Sequence, residues 1–178
     1  GLVRSLARPV TVMHVCGTHE QAIARFGLRA QLPAALRVIM GPGCPVCVTD
    51  QSEVDEGVAL ALQGVRIATY GDMLRLPGSS KSLADAQALG AKIDVVYSAT
   101  QALELAQANP EPLVFFASGF ETTAAATAAI LLANPPRNFS VLSAHKYVPT
   151  AMEAVARLPE AKVEGFLAAG HAAVITGY

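Results

Sequence analysis

Seven short apolar runs alternate with alanine-rich stretches along the 178 residues, and this alternation restricts the fold more than any other feature of the chain. The runs are Val10–Val15, Arg37–Met40, Val65–Tyr70, Ile93–Tyr97, Leu113–Ala117, Phe139–Ser143 and Gly165–Ala168. They are continuously apolar rather than alternating, which is the pattern of strands covered on both faces. The stretches between them read as helices: Glu20–Phe26, Gln51–Gln63, Ser82–Leu89, Thr100–Ala108, Thr122–Ala133 and Thr150–Arg157. Thr49, Asp50 and Ser80 are candidate N-caps, and Asp50 with Glu53 has the spacing of a capping box. Such regular alternation predicts βαβ units with right-handed crossovers and parallel sheets. Four strands precede Ser98 and three follow. The expected architecture is therefore α/β, with two similar Rossmann-like lobes at 1–98 and 99–178, the second cut short.

Composition narrows the function classes. Hydrophobic residues make up 52% of the chain, enough for a substantial core, and the formal net charge of -1 gives no basic surface for nucleic acid or anionic lipid. No apolar run reaches membrane-spanning length. Three cysteines without a signal peptide suggest a reducing, cytoplasmic setting, where a CxxC is more often redox-active or metal-binding than a structural staple. The chain begins at Gly1 and stops on Ile175-Thr176-Gly177-Tyr178 just after a strand-like run, as expected of a fragment of a longer protein.

All three cysteines lie in compact motifs at predicted strand ends: Cys16-Gly17-Thr18-His19-Glu20 after the first, and Gly41-Pro42-Gly43-Cys44-Pro45-Val46-Cys47 after the second. Gly71-Asp72 follows the third strand, Gly119-Phe120-Glu121-Thr122-Thr123 the fifth, and His145-Lys146 the sixth. Ligand sites of open α/β sheets form at these carboxyl ends. Cys44 and Cys47 could close a small disulfide ring, supply half of a tetrahedral metal site, or simply be buried small side chains in a tight turn. A position just before a helix start favours the thiolate of Cys47. A closed zinc site is disfavoured, since there is no second CxxC. Cys16 and His19 pair a soft donor with a borderline one, suited to iron or another transition metal. Equally, His19 fits a first-turn residue that only hydrogen-bonds the backbone. Glu121, Thr122 and Thr123 form either a ligand cradle or an ordinary helix start, and His145 and Lys146 either face a site or are solvated. His14 reads as a core histidine and Phe115 and Phe116 as core. Consecutive parallel strands usually neighbour each other, which would bring Cys16 to within roughly 10 Å of the dithiol.

These segments carry a resemblance that spacing alone does not. CGTHE (16–20), FGLRAQLP (26–33), GPGCPVCVT (41–49), TYGDMLRLPGSSKSL (69–83), DVVYSATQALELAQANP (94–110), VFFASGFETT (114–123) and SAHKYVPT (143–150) are similar to the HypD family of hydrogenase maturation proteins, in family order over essentially the whole chain. The chain departs from that family at Ala124-Ala125 and at Ala168-Ala169-Gly170-His171, where a proline is expected.

The resemblance implies a scaffold on which an Fe(CN)2CO unit is built for [NiFe] hydrogenases. A small HypC-type chaperone would share the iron and a HypE-type protein would donate cyanide. By motif, Cys16 would ligate iron with His19 beside it, and Cys44 and Cys47 would form a redox-active dithiol. Glu121, Thr122, Thr123 and His145 would line the cleft between lobes. The family also carries a [4Fe-4S] cluster in a third domain whose ligands are absent here. A stand-alone thiol–disulfide oxidoreductase is the alternative, and a purely structural metal-binding module a third reading.

Overall fold

The computed structural model describes residues 6–177; the outermost ends of the two expected lobes, Gly1 and Tyr178, lie outside them. The strands are β1 (Val10–His14), β2 (Leu36–Met40), β3 (Arg66–Tyr70), β4 (Ile93–Val96), β5 (Leu113–Gly119), β6 (Phe139–His145) and β7 (Gly165–Leu167). The helices are α1 (Gly17–Arg25), α2 (Leu28–Gln31), α3 (Gln51–Leu62), α4 (Leu83–Ala88), α5 (Ala99–Ala108), α6 (Glu121–Leu132), α7 (Val148–Ala156) and α8 (Gly170–Thr176). Two 3₁₀ turns, Val46–Val48 and Gly71–Arg75, follow β2 and β3. All seven predicted strands are present, and every strand pair is parallel. No helix among the described residues is long and apolar enough to cross a membrane.

The chain divides into two units, one formed by the stretch up to Cys44 together with the stretch from Tyr147, the other by Pro45–Lys146. The first holds the sheet β2-β1-β7 and the second the sheet β4-β3-β5-β6. This differs from the expected division at 98–100, which falls inside the second unit between β4 and α5. The reason is long-range pairing: β7 returns to lie against β1, with Val12 opposite Gly165. Glu164 fixes that return, since its carboxylate accepts from the Thr11 N–H at 2.6 Å and its own N–H donates to the Thr11 carbonyl at 2.9 Å.

Burial in the second unit explains the continuously apolar strands. On one face Ala68, Val96, Phe115, Ala117 and Phe139 pack with Ala99, Ala102 and Ala106 of α5 and Ile130 of α6. On the other, Ile67, Phe116 and Ala144 meet Val54, Val58 and Ala61 of α3, Met73, and Leu83 and Ala86 of α4. Phe115 and Phe116 are wholly buried on opposite faces, each stabilising by about 1.5–3 kcal/mol. Small residues let the helices approach: a Cβ on Gly57 of α3 would lie 2.9 Å from the Phe116 ring.

Several helix starts differ from expectation by a residue or two. Asp50 and Glu53 do form the capping box of α3, the Glu53 carboxylate accepting from the Asp50 N–H at 2.8 Å. Ser82 rather than Ser80 caps α4, because its Oγ accepts from Asp85 N–H at 3.2 Å. Thr49 is not the cap of α3, and Thr122 and Thr123 do not cap α6, which begins at Glu121 after Phe120. Beyond β7 the chain forms α8, where no closing helix was expected.

Candidate functional site

In the first unit, β1 and β2 run side by side with His14 opposite Met40, so both strands release their loops at one sheet edge. The Gly41 N–H donates to the His14 carbonyl at 2.8 Å, continuing the ladder one step past β2. Two residues on, Gly43 lies against the start of α1. A Cβ there would sit 3.3 Å from Gly17 N and 3.4 Å from both the N and C atoms of Cys16. The Cys16 loop and the loop that delivers Cys44 are therefore in backbone contact. Cys16 is the extended N-cap residue of α1, and its carbonyl accepts from the N–H groups of His19 at 3.1 Å and Glu20 at 3.3 Å. It is 8% exposed and packs with Ala169, the N-cap of α8, and with Ala172 of that helix.

Behind Cys16 lies a polar cluster that local sequence does not announce. His14 is fully buried, and its Nε2 is 2.8 Å from Glu20 Oε2. The Arg29 guanidinium grips the same carboxylate at 2.7 Å through both Nη atoms. Hydrogen bonding by Arg29, then by His14, holds the Glu20 carboxyl at about 2. The His14 and His19 rings meet edge to face at 5.8 Å, and the buried Nδ1 atom of each has no hydrogen-bond partner among the described residues. His14 is thus a core histidine with one engaged nitrogen.

The second unit begins at Pro45, and Cys47, which is exposed, lies three residues beyond Cys44 between the half-buried Val46 and Val48 of one turn. A buried reading of the pair therefore does not hold for Cys47. The turn is closed by Val48 N–H to the Pro45 carbonyl at 3.3 Å and Thr49 Oγ1 to the same carbonyl at 3.0 Å. At the carboxyl edge of the sheet, Gly119 adopts φ +147, and a Cβ there would fall 2.6 Å from Thr123 Oγ1. Glu121 is half-buried, Thr122 exposed and Thr123 half-buried on the first turn of α6. His145, opposite Gly119 at the end of β6, has Nδ1 3.0 Å from Ser143 Oγ and Nε2 3.4 Å from Thr127 Oγ1. Burial lowers its pKa below the usual histidine value.

The strand order β4-β3-β5-β6 reverses direction at β3, and that switch point is where open α/β sheets bind ligands. A cavity of about 390 Å³ lies there, lined by Pro45 and Val46 of the cysteine turn, Tyr70 and Asp72 after β3, and Ser118 and Thr123 at β5 and α6. Ser118 is only 4% exposed.

The expected site residues thus fall into two sets, Cys16, His19 and Cys44 in the first unit, and Cys47, Glu121, Thr122, Thr123 and His145 in the second. Sequence reasoning missed His14, Glu20 and Arg29 as a cluster, and it missed the partners of Lys146. That side chain bonds Asp50 Oδ2 at 3.0 Å and both Glu53 oxygens at 2.8 Å. Among the described residues no group of three or more His, Cys, Asp or Glu side chains is arranged to hold a metal ion.

Comparison with known proteins identifies the lineage. The HypD family model, described as the hydrogenase formation hypA family, matches residues 2–178. The hydrogenase maturation factor HypD of Azotobacter vinelandii is 43% identical over 181 residues, covering 96% of this chain and 48% of that protein. The HypD proteins of Rhizobium leguminosarum and Escherichia coli are 42% and 41% identical over 183 and 175 residues, each alignment covering 96% of this chain. In those two the aligned share is 48% and 47%, so the chain spans about half the length of the relatives it matches. With the family model matched over nearly every residue, the chain belongs to the HypD family of hydrogenase formation proteins.

Proposed function

We propose that this chain serves hydrogenase maturation as the iron-handling part of a HypD-type scaffold. One observation carries the reading: β1 and β2 are adjacent and in register, and the Gly43 backbone rests on that of Cys16, so the Cys16 and Cys44 loops form one cluster. Iron is the cargo here. The Cys16 thiolate would bind it, with the His19 Nδ1 atom as a neighbouring donor. Soft donors suit low-spin iron carrying cyanide and carbon monoxide. The remaining positions would fall to those diatomic ligands and to a HypC-type partner, with cyanide supplied by a HypE-type protein, since the described residues hold no group of three donors.

Cys44 and Cys47 would act as a dithiol. On oxidation the two thiols form one S–S bond, release two protons and give up two electrons to the iron unit or to a disulfide acceptor. Glu121, Thr122, Thr123 and His145 would contribute hydrogen-bonding groups in the second unit.

The test is co-purification of the full-length protein with its HypC-type partner. Cys16→Ala should lose the iron found with the wild type while keeping its circular dichroism spectrum. Normal iron in the variant removes Cys16 from the ligand set. Catalytic turnover of small disulfides by the isolated chain, without iron retention, would instead favour a thiol–disulfide oxidoreductase.

A further inference from the structure

The turn that presents Cys47 is joined to an ion cluster whose members are far apart in sequence. Asp50 and Glu53 lie three and six residues past Cys47, at the N-terminus of α3. Lys146, at the other end of this unit, reaches both carboxylates, at 3.0 Å for Asp50 and 2.8 Å for Glu53. Its own backbone is anchored, since the Lys146 N–H donates to the Gly119 carbonyl at 2.9 Å. The Lys146 and Glu53 side chains are each 23% exposed, whereas Asp50 is 72% exposed. The Glu53 contact is thus the better shielded, and Asp50 adds less. Burial opposes the lysine charge, but the hydrogen bonds to Glu53 and Asp50 outweigh it and its pKa lies above the usual lysine value.

We propose that Lys146 is a positioning residue for Cys47. It clamps the start of α3, which follows the turn Val46–Val48 directly, and it offsets the negative charge that Asp50 and Glu53 carry three and six residues past the thiol. The helix N-terminus by itself favours a thiolate at Cys47. Two carboxylates at the same helix start, Asp50 at the N-cap and Glu53 in the first turn, act against it. A third carboxylate, Asp72, lines the same cavity as Pro45 and Val46. With Lys146 in place, Asp50, Glu53 and Lys146 sum to a single negative charge. Without it they sum to two, and the thiolate is correspondingly disfavoured. His145, next in sequence to Lys146, has its pKa lowered by burial and adds no compensating charge near neutral pH.

This inference gives a role to the dithiol reading but does not depend on disulfide formation for its test. The measurement is the rate at which iodoacetamide alkylates Cys47 at neutral pH, read by peptide mass spectrometry on the full-length protein. Alkylation forms one S–C bond and expels iodide, so only the thiolate population and its access are probed. Lys146→Met should slow Cys47 by about threefold to tenfold, and Lys146→Arg should stay near the wild-type rate. The triple variant Lys146→Met, Asp50→Asn, Glu53→Gln should recover most of the loss, because Asn and Gln keep capping capacity without charge. A purely structural clamp would not be rescued that way. Wild-type reactivity in Lys146→Met overturns the proposal, as does a triple variant no faster than Lys146→Met. Incubation with oxidised glutathione separates the two ideas. If no Cys44–Cys47 disulfide forms in the wild type while Lys146→Met still slows alkylation, the dithiol reading fails and the Lys146 role stands.

Discussion

Single residues at the strand ends of this chain are constrained by backbone geometry as much as by chemistry. Gly119 shows this best. Its φ of +147 is disfavoured for any L side chain, and the space a Cβ would need is taken by Thr123. Gly119→Ala should destabilise the second unit by about 1–3 kcal/mol from the backbone conformation, with the clash in addition. Urea denaturation of Gly119→Ala, and of Gly119→Ala with Thr123→Gly measured against Thr123→Gly alone, separates the two, because the nearest atom to the new Cβ is the Thr123 Cβ. The double variant should recover only the clash, and full recovery would show that the backbone conformation costs nothing. Gly43 is held differently: its contacts are backbone atoms of Cys16 and Gly17, which cannot rotate away. Gly43→Ala should therefore reduce iron retention in the complex without abolishing folding. Unchanged iron content would mean that the contact between the two loops is dispensable.

At the scale of elements, the strands were legible because parallel strands buried on both faces must be apolar throughout, as Leu113, Phe115, Phe116 and Ala117 are. Helix starts were less so: Ser82 rather than Ser80 caps α4, and the signal that selects it is Asp85 three residues on, which completes a capping box with Ser82. Long-range polar clusters were invisible: 93 residues separate Lys146 from Glu53, and no local pattern links them. The same holds for Arg29, which meets Glu20 only because α2 folds back on α1. The Cys16–Cys44 neighbourhood was legible, since consecutive parallel strands tend to pair. His145 at the end of β6 yields a prediction at this scale. Its pKa is depressed in the folded chain, so its contribution is fully present above the unfolded value of 6.5 and is lost as pH falls below it. Urea stability should decline between pH 7.5 and pH 5, and the decline should be shallower in His145→Asn. Identical slopes in the two proteins would show that His145 is not the group responsible.

On the scale of the whole molecule, the topology separates one contiguous unit from one assembled from both ends of the chain. Pro45–Lys146 contains four parallel strands, their crossover helices and both large apolar clusters. The other sheet needs β7 to find β1 across some 150 residues, and its three-residue strand contributes few ladder bonds. Closing so long a loop is entropically costly and slow relative to the local crossovers β3-α4-β4 and β5-α6-β6. The second unit should therefore fold independently and before the first is complete. Sequence alone placed a boundary near residue 98 because strand counting treats neighbours in the chain as neighbours in a sheet, and β7 breaks that rule. The prediction is that an excised Pro45–Lys146 segment gives an α/β circular dichroism spectrum and one cooperative urea transition. Its m-value should be about 1–3 kcal/mol/M, as for small two-state domains. An excised segment that is unfolded, or that binds a hydrophobic dye and melts without a transition, would show that its core forms only with the first unit present. A segment that folds would also make Lys146, Asp50, Glu53 and Cys47 accessible to measurement apart from Cys16, since all four belong to this unit.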